Sequence, residues 1–228
     1  MVLSSPSHRA WRLLQLLGSN ECSTSATGYL ANFGPGVEAV PGETRAFKDV
    51  KYRSFKQLGL SLQYEPDARG LRADQCEPDQ LKLIAIDLYA EPHIVPSSAA
   101  GKGWQGFPAL PLAFAITVPV ARDLVIDRNT EGHSFVRQLG EPARKGGGGA
   151  GVVGGMGPGA WMEWRLTASN GGVPEADDGP ATIKFRLMVE LGGQAALGHD
   201  RWEPDRGGAS TWKTVTLISD MQEAFKSS

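Results

Sequence analysis

Near the N-terminus, Trp11, Leu13, Leu14, Leu16 and Leu17 follow Ser5-Pro6-Ser7 and are closed by Gly18. A polar cap, a proline in the first turn and a glycine at the exit predict a short amphipathic helix. A second helix is predicted from Ser23 or Thr24, carrying Tyr29, Leu30 and Phe33 at spacings of three and four and stopped by Gly34-Pro35. The period then changes. Residues 49–55, 58–64 and 81–89 read as strands, with Leu58, Leu60, Leu62 and Tyr64 in strict alternation and a denser run at Ile84, Ile86 and Leu88. A loop with Pro66, Gly70 and Pro78 separates the last two.

After a Pro/Ser/Gly-rich connection over 91–106 and an extended stretch over 110–126, the same order recurs. Thr130 is placed to cap a helix through His133, Phe135, Val136 and Leu139, stopped at Gly140-Glu141-Pro142. Strand-like runs follow at 160–166, 182–191 and 212–219. Helix, Gly/Pro stop and three strands therefore occur twice. The expected fold class is α+β: two packed units, each a helix plus an antiparallel meander, arising from a tandem duplication or as two convergent α+β layers. The units span 1–106 and 107–228, the second with the glycine-rich loop, and sharing of one core is left open.

Composition agrees with the punctuation. The 228 residues include 29 glycines and 15 prolines, which argues against long helical bundles. With 23 basic and 25 acidic side chains the net charge is −2, so no electrostatic footprint for nucleic acid is present. The longest apolar stretch, 108–120, holds three prolines and is shorter than the roughly 20 residues a spanning helix needs. The N-terminus lacks the apolar core of a secretion signal, and Cys22 and Cys76 read as two reduced thiols. A cytoplasmic location is expected.

Half of residues 140–159 are glycine, and Arg144-Lys145 stands just before four glycines in a row. Closely spaced glycines let backbone N–H groups converge on an anion. A phosphate-binding loop, however, places Gly-Lys-Ser/Thr at the entry of a helix, whereas this lysine precedes the glycines and Trp161-Met162-Glu163-Trp164 follows as a strand. Trp161 and Trp164, three apart, should point to opposite faces of that strand. A basic run, Lys48, Lys51, Arg53 and Lys56, is interleaved with Tyr52 and Phe55 and could touch anionic headgroups or form a solvated strand face. Four isolated histidines, His8, His93, His133 and His199, show no metal-ligand spacing. His133 is expected on a helix surface. Asp87, within the apolar run 83–88, either faces solvent or is paired.

The strings Tyr52-Arg53-Ser54-Phe55-Lys56-Gln57-Leu58-Gly59-Leu60-Ser61-Leu62, Leu139-Gly140-Glu141-Pro142-Ala143-Arg144-Lys145-Gly146-Gly147-Gly148 and Trp161-Met162-Glu163-Trp164 resemble a family of uncharacterised fungal proteins. That resemblance spans most of the chain and implies no activity. More distantly, Phe33-Gly34-Pro35 followed by residues 52–62 and 81–89 is similar to the phagophore assembly factor family of autophagy-linked proteins. Their Leu-Gly-x-Pro turn precedes an aromatic-rich strand; here Arg53 and Lys56 replace part of the aromatic character, and only the first unit is covered. The first unit also resembles small helix-plus-meander modules of bacterial envelope assembly and inhibitor proteins. Each resemblance implies binding rather than chemistry.

No complete catalytic motif occurs, which favours a non-catalytic, adaptor-like function with a protein or peptide partner and without metal or cofactor. The binding candidates are Arg53, Lys56, Arg144, Lys145, Trp161 and Trp164. Two alternatives stay open. One is an enzyme or binder acting on a phosphorylated small molecule at Arg144, Lys145 and the glycine-rich loop. The other is an autophagy-type factor held at an anionic membrane surface by the basic run.

Overall fold

In the first helix, α1 (Pro6–Leu16), the Ser5 side chain accepts from the His8 amide at 3.2 Å and Pro6 opens the first turn. Ala10, Trp11, Leu13, Leu14 and Leu16 make its buried face. The computed structural model describes residues 5–23, 28–30, 42–90, 104–119, 121–147, 159–171, 181–197 and 200–220. Of the second predicted helix, residues 28–30 are helical with Tyr29 and Leu30 buried, while Phe33 and the Gly34-Pro35 stop lie outside the described residues. So do His93, His199 and residues 148–158 of the glycine-rich segment.

Ten strands follow among the described residues: β1 (Glu43–Ala46), β2 (Lys51–Phe55), β3 (Leu60–Pro66), β4 (Leu81–Tyr89), β5 (Leu112–Val118), β6 (Arg122–Ile126), β7 (Arg144–Gly146), β8 (Trp161–Ser169), β9 (Thr182–Leu191) and β10 (Trp212–Ser219). They form one antiparallel sheet in the order β1-β2-β3-β4-β10-β9-β8-β5-β6, with β7 pairing β8 off that path. This overturns the expected pair of helix-plus-meander units. The strands that were to end the two meanders, β4 and β10, are hydrogen-bonded to each other, from Thr214↔Tyr89 to Ile218↔Ala85. An unpaired edge leaves a row of N–H and C=O groups without partners. Joining the two edges satisfies both rows and merges the meanders into one predominantly β structure. The extended stretch 110–126 supplies β5 and β6, and the Arg144-Lys145 segment, expected as loop, supplies β7.

Side chains alternate across this sheet. Leu60, Leu62, Tyr64, Ile86, Leu88, Trp164, Leu166, Leu187, Val189, Val215 and Leu217 face a single buried cluster that also takes in Leu13, Leu14, Phe107, Phe114 and Phe135. Each such large apolar side chain contributes about 1.5–3 kcal/mol by leaving water. The opposite face carries Ser61, Gln63, Asp87, Thr216, Met188 and Glu163, matched across neighbouring strands.

The second named helix, α2 (Gly132–Leu139), begins at Glu131 rather than at the expected cap Thr130. Thr130 Oγ1 instead accepts from the Asp127 amide at 2.9 Å and closes the 127–130 turn. Trp212 at the start of β10 holds that turn, its Nε1 donating to Asp127 O at 2.7 Å. The Gly132 amide donates to Ser210 O at 3.0 Å. Thus the first turn of α2 is pinned against residues 208–212, which fixes one wall of the cleft described next. No helix of the described residues is long and apolar enough to cross a membrane.

Candidate functional site

Strand β7 pairs β8 with Arg144↔Glu163, Lys145↔Met162 and Gly146↔Trp161 in register. Alternation therefore sends the two adjacent cations to opposite sides. Arg144 lies over the Trp161 ring, 5.8 Å from its centroid, with its guanidinium 3.9 Å from Glu163 Oε1. Lys145 points the other way, where its ammonium is 5.6 Å from the centroid of Trp202.

Lys145 and Trp202 line a cleft of about 360 Å³ between α2, the segment entering β7 and residues 201–208. Val136, Met162, Leu191 and Pro142 supply apolar lining; His133, Arg137, Lys145 and Arg201 supply the polar and cationic groups, and Glu141 is the lining carboxylate. Such a volume and lining fall in the range of ligand-binding pockets. Gly132 lets α2 approach β9 closely: a Cβ there would lie 2.8 Å from Leu191 Cδ1, so a larger residue would require the Leu191 side chain to shift.

Electrostatics in the cleft are one-sided. Trp202 takes a second cation, Arg201, at 5.7 Å from its ring. Of the nearby carboxylates, Asp200 pairs with Arg206, Glu203 lies 3.8 Å from Arg206 and Glu131 lies 3.4 Å from the lining residue His133, while Glu141 lines the cleft itself. No carboxylate of the described residues forms an ion pair with Lys145 or Arg137. His133 Nδ1 is 3.2 Å from Gly208 O. Because a carbonyl only accepts, Nδ1 is the donor, leaving Nε2 toward Glu131.

The lining residues include no Ser, Thr, Cys or Asp to serve as a nucleophile beside His133. Ser134, adjacent in sequence, accepts from Arg137 at 3.3 Å. No group of three or more His, Cys, Asp and Glu among the described residues could hold a metal ion. The arrangement can bind, but it lacks the nucleophile–base pair that covalent hydrolysis requires.

The remaining sequence candidates do not assemble with Lys145. Trp164 is 2% exposed in the core, its Nε1 donating to Gly140 O at 2.9 Å. Trp161 is half-buried on the other face of β8. Arg53 sits over the Phe55 ring at 5.3 Å, and Lys56 pairs with Glu43. Within the same basic run, Lys51 forms an ion pair with Glu21 at 2.6 Å in a largely buried setting. Strands β3, β4, β10 and β9 intervene between β2 and β8. At about 4.8 Å per strand spacing this separates Arg53 and Lys56 from Trp161 by roughly 24 Å. The common binding surface expected from Arg53, Lys56 and a tryptophan of β8 is therefore not formed. His133, Arg137, Arg201 and Trp202 were not singled out as binding residues, since their convergence depends on how α2 docks against residues 201–208.

At the neck of the glycine-rich segment, Gly147 has φ +77°, and a Cβ there would lie 2.1 Å from Gly159 O. Glu190 Oε1 ties down the far side, accepting from the Gly159 amide at 3.2 Å and from Lys213 at 3.0 Å. On the polar sheet face, Asp87 accepts from Gln63 at 2.7 Å and Thr216 at 2.8 Å. Burial raises its carboxyl above the usual aspartate value, the two hydrogen bonds act against that rise, and Glu190 adds to it. Cys22 is exposed and Cys76 half-buried, both free thiols. Comparison of the chain with family models, with curated proteins and with solved structures finds no match in any of the three.

Proposed function

We propose that this protein is a non-catalytic recognition protein, and that the cleft beside α2 receives a segment of a protein partner. The observation that carries this reading is the cleft itself: an apolar lining of Val136, Met162, Leu191 and Pro142 beside Trp202, reached from solvent past Lys145 and Arg137. Its size suits one large apolar side chain with the flanking backbone, the manner in which anchor residues fill pockets at protein interfaces. The lack of a nucleophile beside His133 supports binding over turnover. The test is affinity capture with the intact protein and with Val136→Trp, which fills the cleft from its half-buried α2 wall. A partner that binds the intact protein after purification, and is lost with Val136→Trp, supports the reading. Partners unchanged by the substitution overturn it.

A second reading is favoured by one observation, the absence of an ion-pair partner for Lys145 among the described residues. On that reading the occupant is a phosphorylated small molecule whose phosphate sits at Lys145. Arg144, assigned to the same site from sequence, would take no part, because it lies on the other side of β7. Titration with phenyl phosphate separates the two: saturable binding that Lys145→Gln abolishes, with no protein partner recovered, favours the small molecule.

A further inference from the structure

The sheet is open, with β1 and β6 at the two ends of its strand order. The β6 end is partly closed by α2, whose Gln138 Oε1 accepts from the Val125 amide at 3.2 Å. The β1 end has no such cover among the described residues, and all four of its residues are exposed. Its outward groups follow from the register. The Phe47 amide donates to Val50 O at 2.8 Å and closes the β1–β2 hairpin, and hydrogen-bonded pairs then recur at every second position. Arg45↔Tyr52 and Glu43↔Ser54 are therefore bonded across to β2, whereas Thr44 and Ala46 turn their N–H and C=O groups away from the sheet. Such a row is a template for another strand.

Charged side chains commonly guard an edge, but the two on β1 are of opposite sign and stand two apart on one face, where Arg45 donates to Glu43 at 2.8 Å. A two-fold axis sets the edge antiparallel to its own copy, so that residue i meets j and j meets i. With Thr44 opposite Thr44, the outward groups bond, Glu43 of each copy faces Arg45 of the other, and Gly42 faces Ala46. A slip by one hydrogen-bonded step in either direction sets Arg45 opposite Arg45 or Glu43 opposite Glu43, and like charges directly opposite are destabilising. Charge thus selects a single register.

We infer that β1 is a dimerisation edge: two copies of this chain pair antiparallel through Glu43–Ala46, with Thr44 on the two-fold axis and Glu43 of each copy against Arg45 of the other. The two sheets become one. Strand β8, which carries Met162 of the cleft, lies toward the other end of the strand order, so the dimer keeps two open clefts. The inference does not depend on what those clefts bind.

The experiment is sedimentation equilibrium of the full chain, with the amide exchange of Thr44 and Ala46 followed by NMR in the same samples. A four-residue edge makes a small interface, so a monomer–dimer equilibrium is expected at protein concentrations of about 100 µM. Protection of the Thr44 and Ala46 amides should rise with dimer content. Arg45→Glu and Glu43→Arg each set like charges opposite twice and should each weaken the dimer by about tenfold or more, while the double exchange recovers most of the loss. Thr44→Pro deletes an N–H that β2 does not use and should abolish the dimer with an unchanged circular dichroism spectrum. A monomer throughout a series reaching about 1 mM overturns the inference. So does a dimer that these variants leave intact, or one that leaves the Thr44 and Ala46 amides unprotected, since either places the contact on another surface.

Discussion

Thr216 donates its hydroxyl to Asp87 Oδ1 at 2.8 Å across the β4–β10 junction, joining residues 129 positions apart. This bond sits where the two predicted meanders become one sheet, and it keeps a buried carboxylate hydrogen-bonded on the polar face. Removing the donor leaves Asp87 with Gln63 alone. Thr216→Val should therefore destabilise the protein by about 1–3 kcal/mol at neutral pH, read from urea unfolding. A change within 0.5 kcal/mol or so would show that the bond contributes little.

The pH dependence follows from the direction of the Asp87 shift. Its carboxyl is raised in the folded state, so the folded chain holds that proton more tightly than the unfolded chain. The contribution of this group to stability is therefore most favourable below the unfolded value, about pH 4, and declines as pH rises toward the folded value. Asp87→Asn removes the titration. The unfolding free energy of the natural protein minus that of the variant should fall across this window; a difference that is flat or rising with pH contradicts the assignment.

The Lys51–Glu21 pair, with side chains 17% and 10% exposed, ties this member of the basic run into the fold. Lys51→Met strands a largely buried carboxylate and should cost about 1–3 kcal/mol, discounted from the fully buried case. Adding Glu21→Gln should restore most of the loss. Thermal denaturation of the two variants decides it, and failure of the second change to rescue would mean the cost lies in packing.

Gly147 is both in a left-handed conformation and in contact with the Gly159 carbonyl, whereas Gly70, φ +84°, faces open space. Gly70→Ala should cost about 1 kcal/mol from backbone strain alone. Gly147→Ala adds a clash at the hairpin neck and should cost clearly more. It should also disturb the cleft through Lys145, two residues away. Equal losses in chemical denaturation would mean the neck opens without penalty.

Trp164 links the core to the end of α2 by donating to Gly140 O. Trp164→Phe keeps an aromatic ring beside Phe135 but leaves that carbonyl unpaired, so a loss of about 1–3 kcal/mol is expected in urea unfolding. Trp161→Phe, on the half-buried face, should change stability by less than 1 kcal/mol or so. The order of the two losses is the check.

Much of the secondary structure is determined by local sequence. Ser5-Pro6 starts α1, and the alternation through Leu60, Leu62 and Tyr64 and the runs at 81–89, 182–191 and 212–219 become β3, β4, β9 and β10, because capping and period-two patterning are short-range properties. Only the tertiary structure decided which edges would meet. Pairing of β4 with β10 depends on two unsatisfied hydrogen-bonding edges finding each other across more than a hundred residues, and nothing in either strand encodes its neighbour. The same holds for the site. Arg144 and Lys145 read as one basic pair until β8 draws them into a strand; the pleat then turns Arg144 toward Glu163 and Lys145 toward Trp202, and only Lys145 reaches the cleft.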